Sequence, residues 1–411
     1  MQAQASIESF YRRYAPRVRA TLIRRLGDFD SAEDALQDAF AEAITYWPQT
    51  GIPNDPVAWL ISVGHRRGID QIRRNQTARR RSHMLIHEQG SEGDSDFEAC
   101  IVEDDPLRLL FTCCHPALGM HDRLALTLRE MVGLSTEQVA SALLQKPTTL
   151  AQRIVRAKRR IKKTGIPYEI PGYAELPQRL PSVLAVIYLI FNEGYSRSEG
   201  DTIVDVALAQ EAISLAQTLA RLLPNGEVFG LLALMLLHHA RRDARQNPQG
   251  ELVPLEHQQR ALWDGTQIAA GEQWLHKALR MTPTEPYTLQ ASIAAVHAQA
   301  NDASATDWAR IARLYGALHR RHPSPVIALN RAVAVAMSET PEAGLSLLEA
   351  MNGNKYLMTY HLYHAALADL HRRAGHIDKA RRSYRHAVAL CAQGPERRFL
   401  ANRLSELDPP S

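Results

Sequence analysis

The sequence predicts an all-α protein, and three observations support this fold class. Leu150, Ile154, Ala157 and Ile161 recur at steps of four, three and four, which is the spacing of one helical face. The composition, with 45% hydrophobic and 6% aromatic residues in 411, fits a helical protein with substantial cores. Small–aromatic–small spacings in the last third of the chain indicate stacked helix pairs.

The charge of the chain is unevenly distributed. The net charge is +4, and all of the excess lies in residues 1–163, because residues 164–411 hold equal numbers of acidic and basic side chains. Seven Arg lie within residues 66–81, whereas residues 88–105 hold eight acidic side chains and no Lys or Arg. This segregation favours a nucleic-acid partner at particular surfaces.

Residues 134–163 predict two helices joined by a tight turn, as in a helix-turn-helix. Ser135 or Thr136 can cap the first helix, Pro147 ends it, and Thr148 or Thr149 can cap the second. The second helix carries seven basic side chains and no acidic one between residues 148 and 163. The pattern is typical of a recognition helix in the DNA major groove, and a solvated basic face is the alternative. The residues expected at base edges are Thr148, Thr149, Gln152, Arg153 and Arg156, and those expected at phosphates are Lys158, Arg159 and Arg160.

Three amphipathic helices precede this motif, over Ile7–Leu26, Ala32–Trp47 and Val57–Asn75. Pro16 predicts a kink or a break in the first. Ser31 is expected to start the second, on which Ile44 is placed among the inward residues. The second helix also carries four acidic side chains, which form either a solvated face or a docking surface for a basic partner. These are Glu33, Asp34, Asp38 and Glu42.

The third helix combines glycine, an aromatic residue and arginine. Gly64 and Gly68 each cost a helix about 1 kcal/mol relative to Ala, so we expect a close backbone approach there. Trp59 follows the loop Pro48–Pro56, and an aromatic residue before a basic helix is a composition that holds unstacked single-stranded bases. Core packing is the alternative for Trp59. The outward basic residues are Arg66, Arg67, Arg73 and Arg74.

The segments that follow predict a linker and a second small domain. Residues 83–104 are acidic and aperiodic, as in a flexible linker. Residues 105–164 then hold two further helices and the helix-turn-helix. Cys113 and Cys114 are adjacent in CCHP, which rarely suits tetrahedral zinc, so no metal is expected. Four cysteines in this length, with no signal peptide and no membrane span, indicate a reducing cytoplasm.

The rest of the chain predicts a helical array. A Pro/Gly-rich hinge is expected over residues 165–177, and residues 178–411 are expected to form stacked helix pairs, with the best repeat from Tyr363 to Pro395. His361 and His364 share a helix, but with no acid or cysteine near them in sequence they favour packing over metal binding. No catalytic constellation is recognisable, so an enzyme is not expected.

The order of these motifs resembles that of a bacterial sigma factor of the extracytoplasmic-function (ECF) group. SAEDALQDAFAEAITYW is similar to sigma region 2.2, PVAWLISVGHRRGIDQIRR to regions 2.3–2.4, and STEQVASALLQKPTTLAQRIVRAKRRI to region 4.2. Many relatives have a glycine where Leu144 stands. The resemblance implies a sigma region 2 bundle over 1–82 and a region 4 domain over 105–164.

The same resemblance implies partners and site residues. The partners are core RNA polymerase and promoter DNA. The acidic helix, through Glu33, Asp34, Asp38 and Glu42, would contact the polymerase clamp. The helix-turn-helix would read the −35 element, and the acidic linker would occupy the polymerase's RNA path. The residues implied at the −10 element are Trp59, His65, Arg66, Arg67, Asp70, Arg73 and Arg74.

The C-terminal part resembles the extension of one ECF subgroup, a tetratricopeptide-like domain. YLIFNEGYS from Tyr188 matches that subgroup, and GELVPLEHQQRALWD matches its signature in part. We expect this domain to regulate the sigma domains in cis, and direct contact within the chain is one way in which it could do so. The alternative is a free-standing helix-turn-helix regulator with a helical sensing domain. The signature residues are Asn192, Glu193, Gln258, Arg260, Trp263 and Asp264.

Overall fold

A computed structural model describes residues 2–82, 105–143, 145–195 and 206–407, and the acidic linker and Leu144 lie outside these ranges. Its main elements are helices, which confirms the all-α prediction. The chain forms two compact units, residues 1–186 and 187–411. No helix in the described ranges has both the length and the apolarity needed to cross a bilayer.

The first unit contains the elements of both predicted sigma domains, and its boundary with the second unit falls within α8. The five domain boundaries expected from the sequence remain a prediction. The helices are α1 (Gln2–Leu26), α2 (Phe29–Thr50), α3 (Pro56–Ser82), α4 (Asp105–Cys113), α5 (Met120–Leu126), α6 (Thr136–Ala142), α7 (Pro147–Thr164) and α8 (Leu176–Tyr195), with a π-helical turn over Thr127–Val132.

Helices α1, α2 and α3 pack on one another around a continuous apolar core. Leu22, Leu36, Leu60 and Ile61 are fully buried in it, as their spacing predicts. Of the kink or break expected at Pro16, the break is wrong, because α1 runs through this residue as one helix. The inward placement of Ile44 is also wrong, since its side chain is 52% exposed.

The two glycines of α3 lie where other helices approach, as predicted. A Cβ on Gly64 would lie 3.0 Å from Leu22 and 3.1 Å from the Ala35 carbonyl oxygen. A Cβ on Gly68 would lie 2.5 Å from the side chain of Leu26. The missing methyl groups therefore let α3 approach α1 and α2.

Two helix starts differ from prediction, and a third agrees with it. Helix α2 begins earlier than expected, because the Asp28 carboxylate accepts from the Ser31 N–H at 3.0 Å. Helix α7 begins at Pro147 without a side-chain cap, so the expected Thr148 or Thr149 cap is wrong. Ser135 caps α6 through a reciprocal pair with Gln138, at 3.2 and 2.8 Å.

The second unit is built from helix pairs, and α10, which packs against α9, α11 and α12, is buried along almost its whole length. Tyr363, Ala380, Tyr384 and Ala387 of the predicted repeat are all buried, and Gly375 turns the chain between its helices at φ +77°. The helices are α9 (Val206–Leu222), α10 (Gly226–His239), α11 (Gly265–Met281), α12 (Pro286–Gln299), α13 (Trp308–Arg321), α14 (Pro325–Ser338), α15 (Pro341–Glu349), α16 (Lys355–Met358), α17 (His361–Arg373), α18 (Ile377–Leu390) and α19 (Gly394–Ser405).

Arg19 of α1 is the largest fully buried side chain of the first unit. Its guanidinium donates to the carbonyl oxygens of Arg129 and Glu130 at 3.1 and 3.0 Å. Its Nε lies 3.0 Å from the Glu33 carboxylate and 3.5 Å from that of Glu130. Arg19 thus joins the α1–α3 bundle to the turn that precedes the helix-turn-helix.

We expect Arg19→Met to destabilise the first unit by about 3–5 kcal/mol, because two buried carboxylates would lose their cation. Native-state hydrogen exchange of the α1 amides measures this change. Arg17→Met is the matched control, since Arg17 is exposed on the same helix, and its effect should stay within about 0.5 kcal/mol. Equal effects of the two substitutions would show that the buried charge does not stabilise the packing.

Candidate nucleic-acid and protein interfaces

Helix α7 presents most of the predicted DNA-contacting residues to solvent. Leu150, Ile154, Ala157 and Ile161 are buried beneath them, so the apolar seam is as predicted. Because these four hold one face of the helix, the other faces remain available to a partner. The exposed candidates are Thr148, Thr149, Gln152, Arg156, Arg159 and Arg160.

Arg153 and Lys158 are instead paired within the unit. The Arg153 guanidinium lies 3.2 Å from the Asp122 carboxylate of α5, and both side chains are about one-quarter exposed. The Lys158 ammonium lies 3.2 Å from buried Glu130 and 3.5 Å from Asp30. These two cations contact nucleic acid only if the pairs open, so the structure divides the predicted set into available and engaged residues.

Contacts between the basic helix and the start of α2 extend this pairing. Lys162 lies 3.1 Å from Asp28, and Lys158 stands over the Phe29 ring at 5.8 Å from its centroid. A cleft of about 570 Å³ lies between the Gly27–Asp30 turn and α7. Charges of opposite sign from the two predicted sigma regions therefore face each other inside one compact unit.

The four acidic side chains of α2 separate into two kinds. Glu33 points inward to Arg19 and Arg129, each at 3.0 Å, while Glu42 pairs with Arg66 at 3.4 Å and Arg67 at 2.9 Å. Asp34 and Asp38 are exposed, and no described residue forms an ion pair with either. The available acidic surface therefore consists of Asp34 and Asp38.

The pKa values of this acidic group follow its surroundings. Burial alone would raise the pKa of Glu33, but Arg19, Arg129 and Lys158 outweigh it and hold this pKa below its ordinary value. Partial burial would raise the pKa of Asp28, but hydrogen bonds from Ser31 and the contact with Lys162 likewise outweigh it and lower this pKa. Partial burial, together with neighbouring Asp30 and Asp38, raises the pKa of Asp34. Glu33 is thus stabilised as an anion, whereas Asp34 is repelled by its neighbours.

The residues predicted at single-stranded DNA lie along α3. Trp59 is half-buried, and its ring centroid lies 5.6 Å from that of buried Trp47. One part of its side chain therefore packs against the core, and the other part is accessible for stacking on a base. Burial and nearby Arg25 lower the pKa of His65. Asp70 is half-buried. The exposed residues of this face are Arg66, Arg67, Arg73 and Arg74.

In the second unit, the partial signature surrounds the start of α11. Asp264 caps α11 by accepting from the Gln267 N–H at 3.1 Å, and its carboxylate lies 3.3 Å from Arg242. The Arg260 guanidinium stacks over buried Trp263, 4.1 Å from its ring centroid. Gln258 is buried and donates to the Val253 carbonyl at 3.0 Å. These residues fix the loop that leads into α11, and Asn192 and Glu193 lie on half-buried positions of α8.

His361 was expected to pack and not to bind a metal, because no acid or cysteine is near it in sequence. His361 has an acid and a cysteine close to it in space, because α18 and α19 bring Cys391 and Glu396 beside α17. The three ligand atoms lie within 4.8 Å of one another, and His361 Nε2 is 3.2 Å from a Glu396 carboxylate oxygen. Cys113 and Cys114 are buried, and burial raises the pKa of both thiols.

Arg19 and Glu130 were missed by the sequence analysis. Both are fully buried in the first unit and join the two predicted sigma regions. An arginine on an otherwise apolar stripe of α1, beside Val18 and Leu22, is the signal that could have drawn attention to Arg19. Its partner Glu130 stands 111 residues away, so no local pattern could have identified it.

Family models match two parts of the chain. Residues 10–78 match sigma-70 region 2, and residues 179–279 match a family of unknown function (DUF6596). The first match covers α1–α3, and the second contains all the signature residues. No solved structure matches the chain.

The relatives of this chain include one uncharacterized protein and two ECF sigma factors. An uncharacterized protein of Rhizobium meliloti (strain 1021) is 41% identical over 95% of this chain and 93% of its own length. The probable ECF RNA polymerase sigma factor SigI of Mycobacterium tuberculosis is 27% identical over 44% of this chain and 60% of its own length. The ECF RNA polymerase sigma factor SigK of Mycobacterium sp. (strain KMS) is 28% identical over 37% of this chain and 80% of its own length.

The sigma-70 region 2 match, the ECF relatives and the observed helical architecture agree with one another. The long match to the Rhizobium protein includes the C-terminal unit, so this extension is shared by at least one relative. The chain therefore contains a sigma-70 region 2 and is related to ECF sigma factors, and it carries a C-terminal helical extension.

Proposed function

We propose that this protein binds core RNA polymerase and directs it to a specific set of promoters. This proposal rests on the match of the α1–α3 bundle to sigma-70 region 2. The same compact unit contains a helix-turn-helix whose basic face is largely exposed. A free-standing DNA-binding regulator would explain the helix-turn-helix but not region 2. Pull-down with purified core polymerase separates the two functions.

The −35 element is assigned to the start of α7. Its first turns expose Thr148, Thr149, Gln152 and Arg156, and the N-terminal residues of a recognition helix are the ones that reach base edges. Arg159 and Arg160 lie further along, where basic side chains contact phosphates. Arg153 and Lys158 would join them once Asp122 and Glu130 release them.

The −10 element is assigned to α3 and the loop before it. Arg66, Arg73 and Arg74 supply an exposed positive surface along the helix, and the aromatic pair Trp47–Trp59 stands at its start. A basic surface beside an aromatic residue suits an unpaired strand, because stacking and charge both act without a duplex.

The paired charges between α2 and α7 support a closed resting form. Glu33 is predicted to contact polymerase and Lys158 to contact DNA, and Asp28 lies at the start of the same acidic helix as Glu33. Each of these three side chains forms an ion pair inside the first unit. Charged groups of polymerase and promoter DNA would replace the intramolecular partners in these ion pairs. The two sigma regions would then separate. The closed form therefore competes with holoenzyme formation.

The C-terminal unit is proposed to regulate this exchange in cis. Deletion should keep α8 complete, because Arg179 and Ser182 of α8 hydrogen-bond to the carbonyl oxygens of Phe111 and Cys114. Removal of residues 196–411 should change promoter output in reconstituted transcription. Unchanged output and unchanged polymerase affinity would assign the unit another role.

Asp38→Lys should weaken binding to core polymerase by about tenfold or more, because it reverses one of the two unpaired acids of α2. Surface plasmon resonance with immobilised core enzyme measures the change. Glu169→Lys makes the same charge reversal at an exposed site elsewhere in the first unit and should leave the affinity unchanged. If both substitutions weaken binding equally, the effect comes from net charge and not from α2.

Arg156→Ala should weaken binding of the holoenzyme to its −35 duplex by about 1–3 kcal/mol if the guanidinium contacts a base edge. The duplex is chosen by footprinting the holoenzyme on genomic DNA. Lys163→Ala is the control at the far end of the same helix. A loss of the same size on scrambled duplex would reassign Arg156 to a phosphate.

The closed form should open in acid. Glu33 and Asp28 have lowered pKa values in the closed form, so their stabilisation is present above the ordinary carboxylate pKa and is lost as pH falls through the lowered values. Resonance energy transfer between labels on exposed Gln49 and Gln152 should report a longer distance below about pH 4.

Two variants test the origin of this opening. Glu33→Gln should lengthen the distance already at neutral pH, since it removes a charge that pairs with Arg129 across the two regions. Glu42→Gln should not, because Glu42 pairs with Arg66 and Arg67 of α3. A distance that stays constant from neutral to acid pH while helicity is retained would contradict the closed form.

A further inference from the structure

The second unit contains a cavity of about 540 Å³ beside α10, within the range of small-molecule sites. Leu234, Leu237, Ile293 and Leu318 contribute apolar side chains to its wall. Polar groups come from helices on several sides. They include Tyr188, Asn192, His238, Arg241, His297 and Tyr315.

Arg241 gives this cavity a positive charge that is not neutralised by any carboxylate in the described ranges. No described carboxylate forms an ion pair with Arg241, and its one side-chain hydrogen bond to a described residue goes to the Tyr195 hydroxyl. A guanidinium has five donors, so most of its hydrogen-bonding capacity remains available to a ligand. Aromatic faces support the cation, with the Tyr195 and Trp263 ring centroids each 5.8 Å away.

Two further arginines strengthen the positive potential. The Arg245 guanidinium stands 3.7 Å from the Tyr195 ring centroid and donates to the Tyr195 carbonyl, and Arg260 stacks on Trp263. Burial, and then the proximity of Arg241, lowers the pKa of both Arg245 and Arg260.

Two carboxylates of the surrounding segments already have cationic partners, since Asp264 pairs with Arg242 and Glu256 pairs with Arg373 at 2.8 Å. A carboxylate oxygen of Glu396 lies 3.2 Å from His361 Nε2. None of these three carboxylates forms an ion pair with Arg241.

The two histidines of the cavity act as neutral hydrogen-bonding groups near pH 7. Burial, followed by the charges of Arg241 and its neighbours, lowers the pKa of His238 well below the ordinary value and that of His297 to about 4. His297 Nδ1 is buried and has no hydrogen-bond partner in the part of the chain that the structure describes. A bound anion would satisfy such a group and the guanidinium together.

We propose that this cavity binds a small organic anion with an apolar body, with its carboxylate or a similar acidic group on Arg241 and its body against the aliphatic wall. The mixture of one unneutralised cation, neutral polar groups and apolar lining selects against inorganic ions, which would leave the wall unfilled, and against neutral lipids, which would leave Arg241 unpaired. The proposal rests on the C-terminal unit alone and does not depend on the proposed polymerase function.

A matched pair of fluorescent probes tests it on the full chain. 8-Anilinonaphthalene-1-sulfonate carries an anionic group, and N-phenyl-1-naphthylamine has the same aromatic body without that group. We expect the anionic probe to bind the wild type with one-to-one stoichiometry, at least about tenfold more tightly than the neutral probe. Arg241→Met should remove this preference, whereas Arg280→Met, at an exposed position of α11, should not.

Two further variants guard against a misfolded Arg241→Met protein. Arg241→Lys keeps the charge and should retain the preference for the anionic probe in part. Ala294→Phe fills the cavity from α12 and should reduce binding of both probes while circular dichroism stays unchanged.

Competition identifies the ligand class. 4-Phenylbutyrate should displace the anionic probe, and 4-phenylbutanol should not. Displacement by inorganic phosphate alone, equal affinity of the two probes for the wild type, or an unchanged probe preference in folded Arg241→Met would each overturn the proposal.

Discussion

The burial of Arg19 against Glu33 and Glu130 is the constraint on which the first unit depends. A guanidinium with no exposed surface requires carboxylates and carbonyl oxygens around it, and these come from α2 and from the turn before the helix-turn-helix. The Glu130 carboxylate also faces Lys158, yet its oxygens accept no well-directed hydrogen bond from a described residue. Paired charges thus link α1, α2 and α7, and charge is what a polymerase or a DNA backbone can replace.

This arrangement links stability to function through the same residues. The acids and bases that face one another inside the unit belong to the surfaces that the family resemblance assigns to polymerase and promoter. Asp34, Asp38 and the first turns of α7 remain exposed, so initial encounter can begin there before the paired charges separate. The C-terminal unit adds a cavity in which Arg241 forms no ion pair with a described carboxylate, and the proposed organic anion would bind there.

Local pattern was sufficient for some features and insufficient for others. The seam of α7 and the close approach at Gly64 could be predicted, because helical period and glycine cost are properties of short segments. The burial of Arg19, the engagement of Lys158 and the approach of Cys391 to His361 could not, since their partners lie on other elements. Ile44 shows the opposite failure, in which an apolar residue at helical spacing has no neighbour to cover it.

The proposed function makes this chain a promoter-directing subunit of RNA polymerase. Start-site mapping of transcripts made from genomic DNA by core polymerase, with and without the purified full chain, tests this directly. Discrete start sites should appear only when the chain is added, each with a shared upstream element at −35 and −10 spacing. Transcription that begins at the same positions without the chain, or a chain that fails to associate with core polymerase both intact and after removal of residues 196–411, would contradict it.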